Sequence, residues 1–193
     1  MASGRRHDQA TALLALPFGL LWAPALGPGG AAAAAGAFLV GGLWLSPDLD
    51  LPSRATARWG PLALLWWPYR RLLRHRSLLS HSPLLGSAGR LLWLAALVSG
   101  GCLLLAPLGS PTPQQLLTAI NDLWQRHPHT GLAVLVAVEA SAWLHLLQDG
   151  DPMPRTPRLL RGLLRRRRGA TGLRRFRSGR RQRPRRRRGA GGS

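Results

Sequence analysis

An all-α, membrane-embedded helical bundle followed by a basic tail is the fold class the sequence predicts, on three observations. About four apolar runs of near-membrane length divide the first 150 residues. Acidic residues are scarce, with Asp+Glu 7 against Lys+Arg 27, and the histidines and aspartates gather at the ends of those runs. Beyond Asp151 the composition turns abruptly to Arg, Gly and Pro. The expected organisation is therefore one helical domain over residues 1–151 and a disordered Arg-rich tail over 152–193.

Composition bounds the chemistry. Hydrophobic residues make up 46%, yet the formal charge is +20, and every basic residue is Arg. The single cysteine, Cys102, sits inside an apolar run. It excludes an intramolecular disulfide framework and a Cys-based zinc cluster, so a bound metal would draw on His, Asp and Glu. The N-terminal apolar run shows no clear small-residue cleavage site and reads as retained structure.

Residues 1–8 are polar and end Arg5-Arg6-His7-Asp8; a first apolar helix is expected from Ala10 to Leu26. Asp8 alone reads as an N-cap of that helix. Gly27-Pro28-Gly29-Gly30 predicts a turn, and Ala31 to Leu45 a closely packed second helix, rich in Ala and Gly. An antiparallel hairpin of the two would carry His7 and Asp8 towards Asp48 and Asp50. Pro47 and Pro52 bracket Asp48-Leu49-Asp50 and leave it a turn or an extended segment. If extended, both carboxylates face one way.

Residues 54–76 interleave Trp, Tyr and Arg on a Pro-broken stretch, which suits a bilayer interface and, with less support, stacking on nucleic acid. His75 and His81 lie six apart, about 240° around a continuous helix, so a break between them is required for convergence. Ser82-Pro83 predicts that break as a helix restart, Ser82 capping and Pro83 first, with His81 at the helix N-terminus where the neutral ring is favoured.

A third apolar helix is expected from Pro83 to Leu108, a short amphipathic one from Gln114 to Gln125, and a fourth apolar one from Gly131 to Asp149. Glu139 on the last must be neutral, paired or cation-bound if buried, and is a candidate supporting residue. His145 and Asp149, four apart, share a face and could ligate one ion, or one could orient the other. Each of these histidines and carboxylates taken singly also has a structural reading; their convergence favours a metal. The Arg blocks at 165–168 and 185–188 suit anionic lipid headgroups, nucleic acid, or plain solvation.

A four-pass arrangement puts Arg5, Arg6, the Arg-rich 54–90 stretch and the tail on one side, which by the positive-inside rule is cytoplasmic, with both termini. The same arrangement gathers His7, Asp8, Asp48, Asp50, His75, His81, His145 and Asp149 at that face. A soluble bundle with a similar site is the alternative.

The chain resembles a cyanobacterial family of metal-binding proteins of otherwise unknown function. The resemblance is carried by Ser3-Gly4-Arg5 through His7-Asp8, Gly41-Gly42 through Ser46-Pro47-Asp48-Leu49-Asp50, Trp59-Gly60 and Pro68-Tyr69. His75-Arg76-Ser77, Ser80-His81-Ser82, and Glu139 with His145 and Asp149 complete it. Through the Asp-x-Asp and His-Arg…Ser-His elements it is similar also to inner-membrane metal-dependent hydrolases. More remotely it resembles helical zinc-dependent phospholipase C enzymes and single-strand nucleases. The resemblance implies a His/Asp site for zinc, with manganese or iron open, acting on a phosphoester.

The functional expectation is a divalent-metal-dependent membrane hydrolase. Its expected metal residues are His7, Asp8, Asp48, Asp50, His75, His81, Glu139, His145 and Asp149. Asp48 and Asp50 are also the expected catalytic carboxylates, and Arg76 the expected holder of a substrate phosphate. The rival expectation is a non-catalytic membrane protein with a structural metal and a tail that docks on anionic lipid or nucleic acid.

Overall fold

Helix α1 (Gly4–Leu20) turns a one-per-turn stripe of His7, Thr11, Ala15 and Gly19 inward, a spacing of four that keeps them on one face. In the computed structural model, which describes residues 4–73 and 77–150, that stripe packs on α2 (Ala23–Leu43), and α2 packs in turn on α8 (Pro128–Gln148). No strand occurs among the described residues, which all lie within one compact unit, Met1–Arg155. His75, Arg76 and the Arg-rich tail fall outside the described residues.

Close approach of the three long helices depends on small residues. Ala15, Ala34, Phe38, Ala133 and Ala137 form their shared core. Two adjacent glycines near the end of α2 then serve opposite neighbours. A Cβ on Gly42 would come within 2.5 Å of Thr11 Cγ2 on α1, and one on Gly41 would collide with Ser141 Oγ on α8. Thr11 lies one turn from His7 and Ser141 one turn from His145, so these contacts set the depth of both histidines.

The α1–α2 turn falls at Leu21-Trp22, earlier than Gly27-Pro28 suggests. Pro17 is accommodated inside α1, and Gly27 (φ 66°) with Pro28 makes a kink within α2 instead of the turn itself.

After α2 the chain builds a small second core. Pro47–Asp50 forms a 3-10 turn, capped by Ser46, whose Oγ accepts from Asp48 N at 3.4 Å. Helix α3 (Arg54–Ala57) is capped by Ser53, and the Ser53 and Thr56 hydroxyls donate to Asp48 O at 2.9 Å and Leu51 O at 2.7 Å. A 3-10 helix (Gly60–Trp66) leads into α4 (Trp67–Leu72). Trp66 and Tyr69 are buried with Leu45, Leu49 and Ala55. The aromatic stretch expected at a bilayer interface is thus partly the floor of this core; Trp67, with Arg71 over its ring, remains exposed. Burial pushes the Tyr69 phenol above its ordinary value, with Arg90 opposing and Asp50 adding to the rise.

Helix α5 (Leu78–His81) is a single turn in which Ser77 and Ser80 form a capping box. Here the structure differs from the sequence expectation. Ser82-Pro83 does not start the next helix: α6 (Leu85–Leu105) begins after Leu84, and His81 ends α5 instead of opening α6. Leu84 has φ 62° and ψ −58°, and Leu85 N donates to Pro83 O at 2.7 Å. Those values define a γ-turn of the strained hand. Glu139 Oε1 on α8 accepts from Leu84 N at 2.8 Å and holds the turn in place.

Helix α7 (Pro113–Arg126), capped by Thr112 and Gln115, lies at the end of the bundle away from Asp48, where Trp124 covers Gly131. Among the described residues, three segments, Ala23–Asp50, Leu85–Leu108 and Pro128–Gln148, are long and apolar enough to cross a membrane by length and composition. Helix α1 is shorter, at 17 residues, and opens on charged residues.

Candidate metal centre

His7 from the start of α1, Asp48 and Asp50 from the 3-10 turn, His81 from α5, and His145 and Asp149 from the end of α8 meet at one end of the bundle. They form two groups in which one ligand atom per residue lies within 4.8 Å of the others: His7, His145 and Asp149; and Asp48, Asp50 and His81. All three histidines are buried, as is Asp50, while Asp48 and Asp149 are partly open.

Two of the imidazoles are set the same way. Ser46 Oγ lies 3.3 Å from His145 Nδ1, and Ser80 Oγ lies 3.2 Å from His81 Nδ1. Each serine oxygen already accepts a backbone N–H, from Asp48 and from Ser77 respectively, and has a second lone pair for the Nδ1 proton. That assignment leaves the Nε2 of His145 without a proton. His145 Nε2 faces Asp48 Oδ1 at 3.4 Å and Asp149 Oδ2 at 3.7 Å, and His81 Nε2 faces Asp48 Oδ1 at 3.9 Å. Asp50 Oδ2 stands 3.4 Å from His81 Nδ1, and His7 Nε2 stands 3.2 Å from Asp149 Oδ1.

Two chemistries set different separations for such pairs. A hydrogen-bonded imidazolium–carboxylate pair closes to about 2.7–2.9 Å. Two ligands on one tetrahedral ion, each about 2.0–2.2 Å from it, stand roughly 3.3–3.5 Å apart. His145 Nε2 to Asp48 Oδ1, at 3.4 Å, matches the second pattern; His7 Nε2 to Asp149 Oδ1, at 3.2 Å, falls between the two, and the separations of 3.7 and 3.9 Å exceed both. Buried His145 Nε2 makes no hydrogen bond, and a bare imidazole nitrogen opposite carboxylate oxygens is repulsive unless a cation lies between them. The donor set, nitrogen and carboxylate oxygen without sulfur, fits a divalent transition ion. His7 and His145 also stack, centroids 4.0 Å apart.

Two expected ligands are engaged elsewhere. Asp8 Oδ2 pairs with Arg54 Nε at 2.8 Å and with Arg58 NH2, while Arg58 NH1 donates to Leu43 O at 2.9 Å. Asp8 therefore neither caps a helix starting at Ala10, since α1 already begins at Gly4, nor joins either ligand group. Glu139 belongs to Leu84 N, as described above. Nor is Asp48-Leu49-Asp50 extended: its 3-10 turn buries Asp50 fully and leaves Asp48 facing the centre. His75 and Arg76 are among the residues not described.

Sequence reasoning missed three contributors. Ser46 and Ser80 orient the imidazoles, and Arg90, 2% exposed, donates NH1 to Ser80 O at 3.0 Å and NH2 to Ser87 Oγ at 3.1 Å, bracing the turn that carries His81. A cavity of about 330 Å³ is lined by His7, Asp48 and His145 together with Gly4, Ser53 and Arg54.

Fold and site together define an all-helical metal-binding protein with a His/Asp ligand set. The chain belongs to the uncharacterized metal-binding protein family DUF2227, whose family model matches residues 2–157. It is similar to an uncharacterized protein of Aquifex aeolicus (strain VF5), 43% identical over 58 residues, which are 30% of this chain and 40% of that protein. The match thus spans only about two fifths of that relative's length. No solved structure matches.

Proposed function

We propose that this protein is a membrane-embedded, divalent-metal-dependent hydrolase that acts on a phosphoester. One observation carries the reading: His7, Asp48 and His145, drawn from the two ligand groups, line the same cavity as Arg54. His7, Asp48, Asp50, His81, His145 and Asp149 would hold the metal, zinc being the first choice for the donor set and manganese or iron the next. The chemistry a bound divalent ion supplies is Lewis acidity, which acidifies water and polarises a phosphoryl oxygen. Arg54, fixed through Nε by Asp8, turns its two terminal amino groups to an anionic oxygen of the substrate. Arg58, held by both Asp8 and Leu43 O, keeps that carboxylate in place.

Membrane residence rests on the three long apolar helices and on the leucines of α6, among them Leu92, Leu103 and Leu104, which the bundle leaves uncovered. With α1 as a fourth and shorter pass, Arg5, Arg6, Arg54, Arg58, Arg70 and Arg71 share one side with the centre, the cytoplasmic side by the positive-inside rule. The Arg-rich tail would add attraction to anionic headgroups.

The test uses full-length protein purified in detergent and loaded with zinc or manganese. Initial rates on bis(p-nitrophenyl) phosphate and p-nitrophenyl phosphate are compared with those of chelator-treated protein and of Asp48→Asn. Turnover that disappears on chelation and in the variant supports the hydrolase. Stoichiometric metal with no turnover on phosphodiesters, phosphomonoesters or short-chain phospholipids overturns it in favour of a structural metal.

A further inference from the structure

We infer that α7 lies in the plane of a membrane surface, on the side away from the metal centre, with its apolar face against lipid acyl chains. This placement rests on the membrane residence proposed above, and on neither the metal nor hydrolysis.

Helix α7 separates its residues by side. At about 100° per residue, Leu116, Leu117, Ile120, Leu123 and Trp124 share one face, and Gln114, Thr118, Asn121, Asp122 and Gln125 the other. The helix has no buried residue, and Leu117, Ile120 and Leu123 on its apolar face are 65%, 64% and 63% exposed. A face of that kind is covered by something other than the bundle.

Position in the chain says what covers it. Helix α7 follows the spanning-length segment Leu85–Leu108 and precedes Pro128–Gln148, so both its ends lie at the level where those segments leave the hydrocarbon. Its 14 residues, about 21 Å at about 1.5 Å each, are too short to cross a layer of about 30 Å. Trp124 seats the helix on α8, where a Cβ on Gly131 would come within 2.6 Å of Trp124 Cε3. Seated so, Ile120, Leu123 and Trp124 line a cavity of about 360 Å³ with Gly131, Val134 and Leu135. Leu135 is two turns into α8, so the apolar face looks along α8 towards the interior of the span, as an interfacial helix must. Leu104 and Leu108, at the end of the preceding span, are exposed at 82% each.

Acyl chains suit this face better than a second protein. It measures about 21 Å by 10 Å, roughly 200 Å², against about 800 Å² per partner for a stable protein interface. Between Ala106 and His127 the charged residues are Asp122 and Arg126 alone, of opposite sign. Attachment therefore comes from apolar burial and needs no anionic headgroup.

The experiment places single nitroxide labels on full-length Cys102→Ala protein in phosphatidylcholine nanodiscs, at Leu117→Cys, Ile120→Cys, Thr118→Cys, Gln125→Cys and, on α6, Leu104→Cys. All five positions are exposed, and circular dichroism with monodisperse elution verifies each labelled chain. The logarithm of the ratio of oxygen to nickel-chelate accessibility is expected positive at 117, 120 and 104 and negative at 118 and 125, unchanged when phosphatidylserine is added. Negative values at 117 and 120 with a positive value at 104 overturn the placement of α7 and leave membrane residence standing. Labels at 117 and 120 that reach neither reagent, or that broaden each other between chains, overturn it in favour of a second copy. Negative values at all five, 104 included, remove membrane residence and the placement of α7 with it.

Discussion

His7 and His145 stack face to face at 4.0 Å although they come from the first and last helices of the bundle. What places them is not an attraction between the rings but the absence of side chains one turn deeper. Gly42 admits Thr11 on one side of α2 and Gly41 admits Ser141 on the other.

Gly42→Val is therefore expected to push α1 off α2, destabilise the protein by about 1–3 kcal/mol and deplete the metal, because overpacking moves backbone as well as side chains. Gly36→Ala is the matched control: a Cβ there meets nothing within 4 Å. It should stabilise by about 0.5–1 kcal/mol through helix propensity alone. Thermal melts with parallel elemental analysis separate the two.

Ser46→Ala and Ser80→Ala remove the hydroxyls at Nδ1 of His145 and His81. Partners of this kind fix ring orientation, and their loss typically weakens metal binding about 10–100-fold. Competition with a chromogenic chelator should show that weakening with the helical content unchanged. Equal affinity in wild type and both variants would mean that the serines only cap their turns.

The γ-turn at Leu84 yields a prediction of opposite signs. Glu139→Ala strips the acceptor from Leu84 N and should cost about 1–3 kcal/mol, yet leave the metal content intact. Leu84→Gly should stabilise by about 1 kcal/mol, since a backbone of this hand stores about 1–3 kcal/mol and a glycine returns about 0.5–1 of it as lost entropy. Leu84 is 70% exposed, so little packing is forfeited. Melting of both variants in one detergent is the check; metal loss in Glu139→Ala would place Glu139 among the ligands after all.

Arg54→Gln should lower kcat/KM for a phosphoester about 10–100-fold, the equivalent of one charged hydrogen bond at about 1.5–3 kcal/mol, without altering the bound metal. Asp8→Ala should produce a smaller loss of the same kind, since it frees Arg54 and Arg58 instead of deleting them. Steady-state kinetics beside elemental analysis distinguishes this role from ligation.

The long-range plan of the site was legible because it follows from connectivity. Antiparallel helices return their ends to one level, so a histidine opening α1 and a histidine closing α8 had to meet near the residues that follow α2. What local pattern could not reveal was competition among partners. Asp8 has the makings of a cap or a ligand, and only the fold brings Arg54 and Arg58 to it. Glu139 looked like a ligand because a carboxylate among apolar residues needs a positive or hydrogen-donating neighbour; the donor turned out to be a backbone amide created by an irregular turn. Ser82-Pro83 carries a helix-start signal, overridden by that same turn. Arg90 did leave a trace in the sequence: an arginine immediately before Leu91-Leu92-Trp93 is misplaced on an apolar helix unless something buried requires it.

The small-residue contacts that admit α1 on one side of α2 and α8 on the other also set an order in time. Until α8 has left the ribosome and docked against Gly41, the chain has His7, Asp48 and His81 but no His145 or Asp149, and the rings cannot stack. The His7 group is thus the last to be completed, and a chain interrupted anywhere before residue 145 has neither His145 nor Asp149 to complete it.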